Sequence, residues 1–100
     1  MMEFAQISFE QFSKVMRAAG YDQVIERVWE PHRTLAEHTH PYDVNVLIVQ
    51  GEVVLTIKGE EPKKLVAGES LQVPANMPHT EQYGSAGATF WAARKGDIPS

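Results

Sequence analysis

The sequence predicts an all-β sandwich or barrel that is preceded by a single N-terminal helix. Short segments rich in apolar and β-branched residues recur from residue 22 onward, and Gly or Pro residues separate them at close intervals. Helical spacing of apolar residues is found only near the N-terminus. With 100 residues, of which 43% are hydrophobic, the chain has the size and composition of one globular domain.

The helix is predicted over residues 8–20. Ser8 and Gln11 form a capping-box pattern, and Gly20 is a typical residue to end a helix. Apolar residues recur between them at helical spacing, at Phe9, Phe12, Met16 and Ala19.

Eight strands are predicted after the helix. Their ranges are 22–29, 35–42, 44–50, 53–58, 63–67, 71–73, 79–83 and 88–94. Gly51-Glu52 is interpreted as a tight turn, and residues 84–87 as a break between the last two strands. The strand 44–50 is apolar at nearly every position, which is typical of a strand covered on both faces. Its outward residues, Leu47 and Val49, therefore need a cover, which either the helix or a second subunit supplies.

The domain organisation follows from these elements. We assign an N-terminal helical segment, a β-barrel domain and a C-terminal tail to residues 1–22, 23–95 and 96–100, respectively.

Three of the four histidines lie in two short motifs. His38 and His40 form an HxH pair, and in an extended strand two residues so spaced point to the same face. His79 follows the segment 73–78, which contains two prolines. Two imidazoles on one face, with a third from a distant strand, predict a set of nitrogen ligands for a divalent metal.

These motifs resemble the two signatures of the cupin superfamily, and the chain is similar to its small single-domain members. In the first signature His38 and His40 match the paired ligands, and Gly51 matches the closing glycine. In the second, Gly68 and His79 match, as does Pro74 between them. The resemblance covers roughly residues 23–94. It implies a double-stranded β-helix, the jelly-roll barrel of cupins, with the metal held in the barrel.

The chain also departs from the family pattern. The position at which many members place a glutamate ligand is Val44, which cannot coordinate a metal. Asp43 is one residue earlier, and strand alternation points it to the opposite face, so it reaches the site only if a bulge shifts the register. Two glycine positions of the signatures are His32 and Asn76, and Asn tolerates the left-handed conformation that such a turn requires. Tyr83 replaces the closing asparagine.

The predicted site is therefore a three-histidine centre of His38, His40 and His79 with open coordination positions. Zinc, iron, manganese, nickel and copper all suit such a site. Glu81 is predicted as the catalytic residue, because it is two residues from His79 and so shares its face. It either completes the ligand shell or acts as a general base on bound water. Its alternative role is to accept the spare N–H of a ligand and so fix the tautomer.

The pocket around this centre is predicted from the inward positions of the strands. These positions are mostly apolar and are Val44, Val46, Leu55, Gln72, Tyr83 and Trp91.

Composition excludes several other classes of function. The chain has no cysteine, which excludes disulfides, thiol catalysis and iron–sulfur ligation. A net charge of −4 and the absence of a basic stripe argue against a nucleic-acid partner. The longest apolar run, residues 46–49, is too short to span a bilayer, and no signal peptide is evident at the N-terminus. We therefore expect a cytoplasmic protein.

Two functions agree with this sequence. The resemblance implies a metal-dependent oxygenase, isomerase or lyase that acts on a small organic molecule. The alternative is a non-catalytic module that binds or senses a small ligand, with a structural metal or none. The resemblance also implies a homodimer. The fold alone does not decide between the two functions.

Overall fold

The computed structural model, which describes residues 7–98, has one helix followed by six strands. The elements are α1 (Phe9–Ala18), β1 (Gln23–Trp29), β2 (Thr34–His38), β3 (Tyr42–Ile57), β4 (Lys63–Val66), β5 (Ser70–Val73) and β6 (His79–Gly96). This confirms the all-β prediction with one N-terminal helix. The proposed terminal segments, 1–22 and 96–100, contain residues 1–6 and 99–100, which lie outside the described residues.

Helix α1 begins and packs as its sequence pattern predicts. The Ser8 hydroxyl accepts the Gln11 backbone N–H at 3.1 Å, and the Gln11 side chain accepts the Ser8 N–H at 3.0 Å, which completes the capping box. The buried face of the helix presents Phe12 and Met16 to Leu47, which is fully buried. Of the two covers considered for Leu47, the helix is the one found. No helix in residues 7–98 is long and apolar enough to cross a membrane.

Strands β3 and β6 are each longer than the sequence pattern predicts. The predicted turn at Gly51-Glu52 and the predicted break at 84–87 are wrong, because both strands continue through these positions. Their pairing shifts register between Ile48 and Gln50 and again between Gly51 and Val53, so bulges bend the ladder where turns were expected. Gly51 has φ 80°, and a Cβ atom there would overlap the carbonyl of Gly87.

The bends divide the strands into two antiparallel sheets. The first half of β3 pairs with β5 and with the second half of β6, which in turn pairs with β1. The second half of β3 pairs with β4 and with the first half of β6, which in turn pairs with β2. Each sheet therefore has four members, and β3 and β6 belong to both.

The main core lies between these two sheets. Its largest members are the inward aliphatic and aromatic residues of β3 and β6, among them Ile48, Leu55, Tyr83 and Phe90. A second, smaller cluster lies outside the barrel, beneath α1. The inward faces of β1, β2, β3 and β6 leave a cavity in the barrel, and the histidines lie in its wall.

Candidate metal centre

The pairing of β2 with β6 brings His38 and His79 together. Leu35 is opposite Glu81, and His38 is opposite His79, so the register shifts by one residue between the two pairs. This bulge places one extra residue in β2 and moves His38 next to His79. The ring centroids of the two imidazoles are 4.3 Å apart.

Glu81 joins these two histidines. Its Oε2 atom is 3.3 Å from Nε2 of His38 and 3.8 Å from Nε2 of His79. Ligand atoms of the three residues all lie within 4.8 Å of one another, which is close enough for one metal ion to contact them all. His79 is buried, with 3% of its side chain exposed, whereas the His38 side chain is 36% exposed. The cluster therefore extends from the interior to the cavity mouth.

Backbone carbonyls fix the tautomer of all three motif histidines. The Nδ1 atoms of His38, His40 and His79 lie 2.7, 3.1 and 2.9 Å from the carbonyl oxygens of Ala36, Tyr42 and Met77, respectively. A carbonyl oxygen only accepts hydrogen bonds, so each Nδ1 carries the proton. Each neutral ring then keeps an unprotonated Nε2, which is the form that binds a metal.

His40 lies beside this cluster rather than within it. Strand β2 ends at His38, so the predicted strand 35–42 is interrupted and His40 belongs to the connection to β3. Its ring is stacked on Tyr42 at 4.3 Å, and its centroid is 5.0 Å from that of His79. Burial lowers the pKa of His40 below its ordinary value, and the nearby charges of His79, His38 and Arg94 lower it further, against the hydrogen bond to Tyr42.

The second oxygen of Glu81 is held by Tyr83. The Tyr83 hydroxyl donates to Oε1 of Glu81 at 2.5 Å. Burial raises the pKa of Tyr83 above its ordinary value, and the adjacent Glu81 carboxylate raises it further. Tyr83 is therefore a protonated donor at ordinary pH, and Oε2 of Glu81 is left to face the histidines.

Asp43 does not join the cluster. Its Oδ1 atom accepts the backbone N–H of Ala75 at 2.7 Å, which holds the 74–78 segment in place. The carbonyl of His40 accepts the N–H of Asn76 from the same segment, at 2.8 Å. Asn76 has φ 63°, as its predicted tolerance of the left-handed conformation allows. These two bonds connect the two histidine motifs.

The cavity has a volume of about 560 Å³, and most of the residues in its wall are apolar. Four of the predicted pocket residues line it, namely Val44, Val46, Leu55 and Tyr83. Two others lie elsewhere. Trp91 points outward and packs against Phe12 beneath α1, with its Nε1 atom donating to Glu26. Gln72 is exposed and lines a separate shallow pocket, because strand alternation directs it away from the barrel interior.

The cavity wall also contains residues outside the predicted set, among them Arg27, Trp29 and Arg94. Period-2 alternation is the signal that identifies them. Arg27 and Trp29 share the inward face of β1 with Ile25, and Arg94 follows Phe90 and Ala92 on the inward face of β6. The predicted pocket set contains no charged residue, so it left out both arginines.

Comparisons with known proteins identify the same family as the motifs. A family model described as a cupin domain matches residues 25–88. No curated protein is similar enough to the chain to count as a match. Among solved structures, the DMSP lyase DddQ from Ruegeria pomeroyi DSS-3 is 21% identical with a TM-score of 0.67, over 77% of this chain and 38% of that one. The chain thus spans well under half of the lyase.

Two other solved structures match over more of their own length. An RmlC-like cupin with a double-stranded β-helix fold from Methanocaldococcus jannaschii is 24% identical with a TM-score of 0.65, over 74% of this chain and 69% of that one. KdgF from Halomonas sp. is 17% identical with a TM-score of 0.61, over the same shares. These likenesses show the fold, and they confirm the predicted jelly-roll barrel.

Proposed function

This chain belongs to the cupin superfamily, and from that premise we propose that it is a small metal-dependent enzyme acting on an organic molecule. One divalent transition-metal ion is held by Nε2 of His38, Nε2 of His79 and the carboxylate of Glu81. His40 supplies a further nitrogen ligand. Positions not taken by these residues remain open to water or to the substrate.

A single observation supports the metal most strongly, namely the meeting of unprotonated atoms at Glu81. Because Nδ1 carries the proton in His38 and His79, neither Nε2 atom donates to the carboxylate while its ring is neutral. Two nitrogen lone pairs and a carboxylate oxygen then face one another at 3.3 and 3.8 Å. A positive charge between the atoms would stabilise this arrangement, and a divalent cation would supply it while leaving both rings neutral.

The position of His40 supports its role as an additional ligand. Its Nδ1 atom is engaged by the Tyr42 carbonyl, so its Nε2 atom is the one available to a metal. A lowered pKa favours the neutral imidazole, which is the metal-binding form. The stack on Tyr42 holds the ring near His79, with the two ring centroids 5.0 Å apart.

We assign Glu81 to the ligand shell, in the place of the glutamate that Val44 removes from the first motif. Its two oxygens have separate tasks, since Oε1 accepts from Tyr83 and Oε2 faces the histidines. The rival role as a general base requires Oε2 to contact a bound water instead. If Glu81 is a ligand, loss of the carboxylate lowers metal affinity. If Glu81 is a general base, metal affinity stays the same.

The donor set determines the chemistry that the site supports. Imidazole and carboxylate ligands suit zinc, iron, manganese, nickel and copper, and a bound ion of this class polarises a coordinated oxygen of the substrate. The apolar walls formed by Val44, Val46 and Leu55 exclude water from the reacting molecule. The similar solved structures include a DMSP lyase, and a lyase reaction therefore stands beside isomerase and oxygenase chemistry as a candidate.

Metal binding is tested by elemental analysis of purified protein after reconstitution with zinc, iron or manganese. We expect close to one metal ion per chain in the wild type, and loss of that metal in His38→Ala and His79→Ala. His32→Asn is the matched control, because His32 is exposed, lies outside the cavity and has a φ of 60° that Asn tolerates. A wild type that takes up no metal, or a His79→Ala variant that keeps it, would contradict the proposal.

Catalysis needs a separate test, because a metal-bearing binding module would give the same elemental analysis. A screen of small organic molecules with the metal-loaded protein, read by product formation and by oxygen consumption, should show turnover that His79→Ala lacks. Binding of a compound without its consumption would instead identify the non-catalytic module.

We also propose that the chain forms a homodimer in the cytoplasm. The family resemblance implies the dimer. Sedimentation equilibrium of the purified chain at micromolar concentration tests it. A monomer mass there would contradict this part of the proposal.

A further inference from the structure

Two arginines lie in the wall of an otherwise mostly apolar cavity. The chain has four arginines, and Arg27 and Arg94 line the cavity while Arg33 lies over Trp29 at its edge. None of the five lysines lines it. A planar guanidinium binds a carboxylate through paired hydrogen bonds, which an ammonium group cannot form. The presence of arginine rather than lysine in the wall therefore favours a carboxylate ligand.

Arg94 is held in place but lacks an anionic partner. Its Nη1 atom donates to Oε1 of Gln23 at 3.1 Å, and its guanidinium lies over the Tyr42 ring at 4.9 Å. Its Nε atom is buried without a hydrogen-bond partner, and no carboxylate within residues 7–98 forms an ion pair with it. A buried N–H group without an acceptor is costly, and an anionic ligand would supply the acceptor that this Nε atom lacks.

Arg27 also lines the cavity and also lies over an aromatic ring. Its guanidinium lies 4.9 Å from the centre of the Trp29 ring, and Trp29 in turn contacts Tyr83 at 5.7 Å. Like Arg94, it has no ion pair in the described part of the chain. Arg27 is opposite Phe90 in the β1–β6 ladder, and Arg94 is four residues further along β6. The two arginines therefore occupy separate positions in the cavity wall.

The charge of the cavity favours an anion once a metal is bound. Two carboxylates line the wall, those of Glu37 and Glu81, and they balance Arg27 and Arg94. With neutral histidines, a divalent ion leaves the wall with an excess of two positive charges. This excess lies in a protein whose overall charge is −4, so it belongs to the site and not to the surface as a whole.

We propose that the cavity takes a small organic carboxylate, and that the guanidinium of Arg94 binds the carboxylate group while Arg27 adds positive charge from a second position in the wall. This inference rests on the proposed function, because the bound metal provides part of the positive field. It narrows the class of substrate to organic anions with an apolar body, which the aliphatic walls accommodate.

Calorimetry with matched acids and amides tests the charge preference without any substitution. The zinc-loaded wild type is titrated with benzoate and with benzamide, and then with propionate and propionamide. We expect each acid to bind at least about tenfold more tightly than its amide, which has nearly the same shape but no charge. Equal affinities within both pairs, or no binding of either acid, would overturn the proposal.

Substitutions identify the residue responsible. Arg94→Gln should weaken benzoate binding about tenfold or more and leave benzamide unchanged, and Arg94→Lys should recover only part of the loss because it keeps the charge without the fork. Arg27→Gln should have a smaller effect in the same direction. Arg17→Gln is the control, since Arg17 lies on α1 and donates to the Asp22 carbonyl away from the cavity.

The outcome separates this inference from the proposed function. Metal content is measured on every sample before titration. A wild type that holds zinc but does not distinguish acid from amide contradicts the carboxylate site alone, as does a folded, zinc-loaded Arg94→Gln variant that binds benzoate like the wild type. A wild type without zinc contradicts the metal centre, and acid-selective binding that persists in it assigns the anion site to the arginines by themselves.

Discussion

Nε2 of His38 and Oε2 of Glu81 face each other at 3.3 Å across the β2–β6 ladder. A bulge between Leu35 and His38 creates this approach, because it moves His38 opposite His79 and within reach of the carboxylate two residues further along β6. Local irregularity in the ladder is thus what converts two separate motifs into one cluster of ligand atoms.

Replacement of Glu81 by Gln distinguishes its two roles. If the carboxylate is a ligand, Glu81→Gln should weaken Co²⁺ binding by about 10- to 100-fold, since an amide is a much poorer metal ligand than a carboxylate. The change is read from Co²⁺ absorption in a competition titration with a chelator. Glu37→Gln is the control, because Glu37 lines the cavity at an exposed position outside the ligand cluster. Unchanged affinity together with lost turnover would assign Glu81 as a general base.

Tyr83 should stabilise both the fold and the metal centre through Glu81. Tyr83→Phe removes the hydrogen bond to Oε1 of Glu81, and we expect the free energy of unfolding of the metal-free protein to fall by about 1–3 kcal/mol. Metal affinity should fall by about tenfold, because the carboxylate is no longer oriented. Urea denaturation and Co²⁺ titration measure the two effects. Tyr21→Phe, at the helix cluster, should leave metal affinity unchanged.

Asp43 should act on stability without contributing a ligand. Asp43→Ala leaves the Ala75 N–H without its acceptor, and we expect a loss of about 1–3 kcal/mol in the free energy of unfolding. Asp43→Asn keeps an acceptor oxygen and should recover most of this loss. Both variants should retain the metal content of the wild type in elemental analysis. Loss of metal in Asp43→Asn would mean that the carboxylate coordinates the ion after all.

His40 should make the stability of the metal-free protein depend on pH. Its pKa is lowered by folding, so the unfolded chain binds the additional proton first as the pH falls. The contribution of His40 to stability is therefore complete above its unfolded pKa of about 6.5, and it is lost as the pH falls towards the lower folded pKa. Urea denaturation at about pH 7.5 and about pH 5.5 should show a larger decrease for the wild type than for His40→Gln. Equal decreases in the free energy of unfolding for the two proteins would show that His40 does not cause the pH dependence.

The family motifs made much of the site predictable from the sequence, and local geometry explains the remainder. The spacing of His38, His40 and His79 predicts their meeting in one cavity wall, and strand alternation places Glu81 beside His79. The bulge at β2 has no comparable signal, because no glycine marks it. The prediction of equal roles for the three histidines therefore missed that His40 lies outside the strand and stacks on Tyr42.

The sequence pattern misassigned the structural roles of Gly51 and Trp91. Gly51 has a positive φ, but it bends a continuous strand where the sequence pattern predicted a turn. Trp91 was misplaced because an apolar residue of a strand buried on both faces gives no sign of which face it occupies. Its register with Glu26 and its contact with α1 decide this, and both depend on tertiary packing.

The most direct measurement is the position of a metal in a crystal of the reconstituted protein, located by anomalous scattering at the zinc edge. We predict one peak in the cavity, about 2.0–2.2 Å from Nε2 of His38, Nε2 of His79 and a carboxylate oxygen of Glu81. We also predict that each Nδ1 atom keeps its bond to a backbone carbonyl. A peak coordinated elsewhere, or no peak in the cavity of zinc-soaked crystals, would contradict the proposed metal centre.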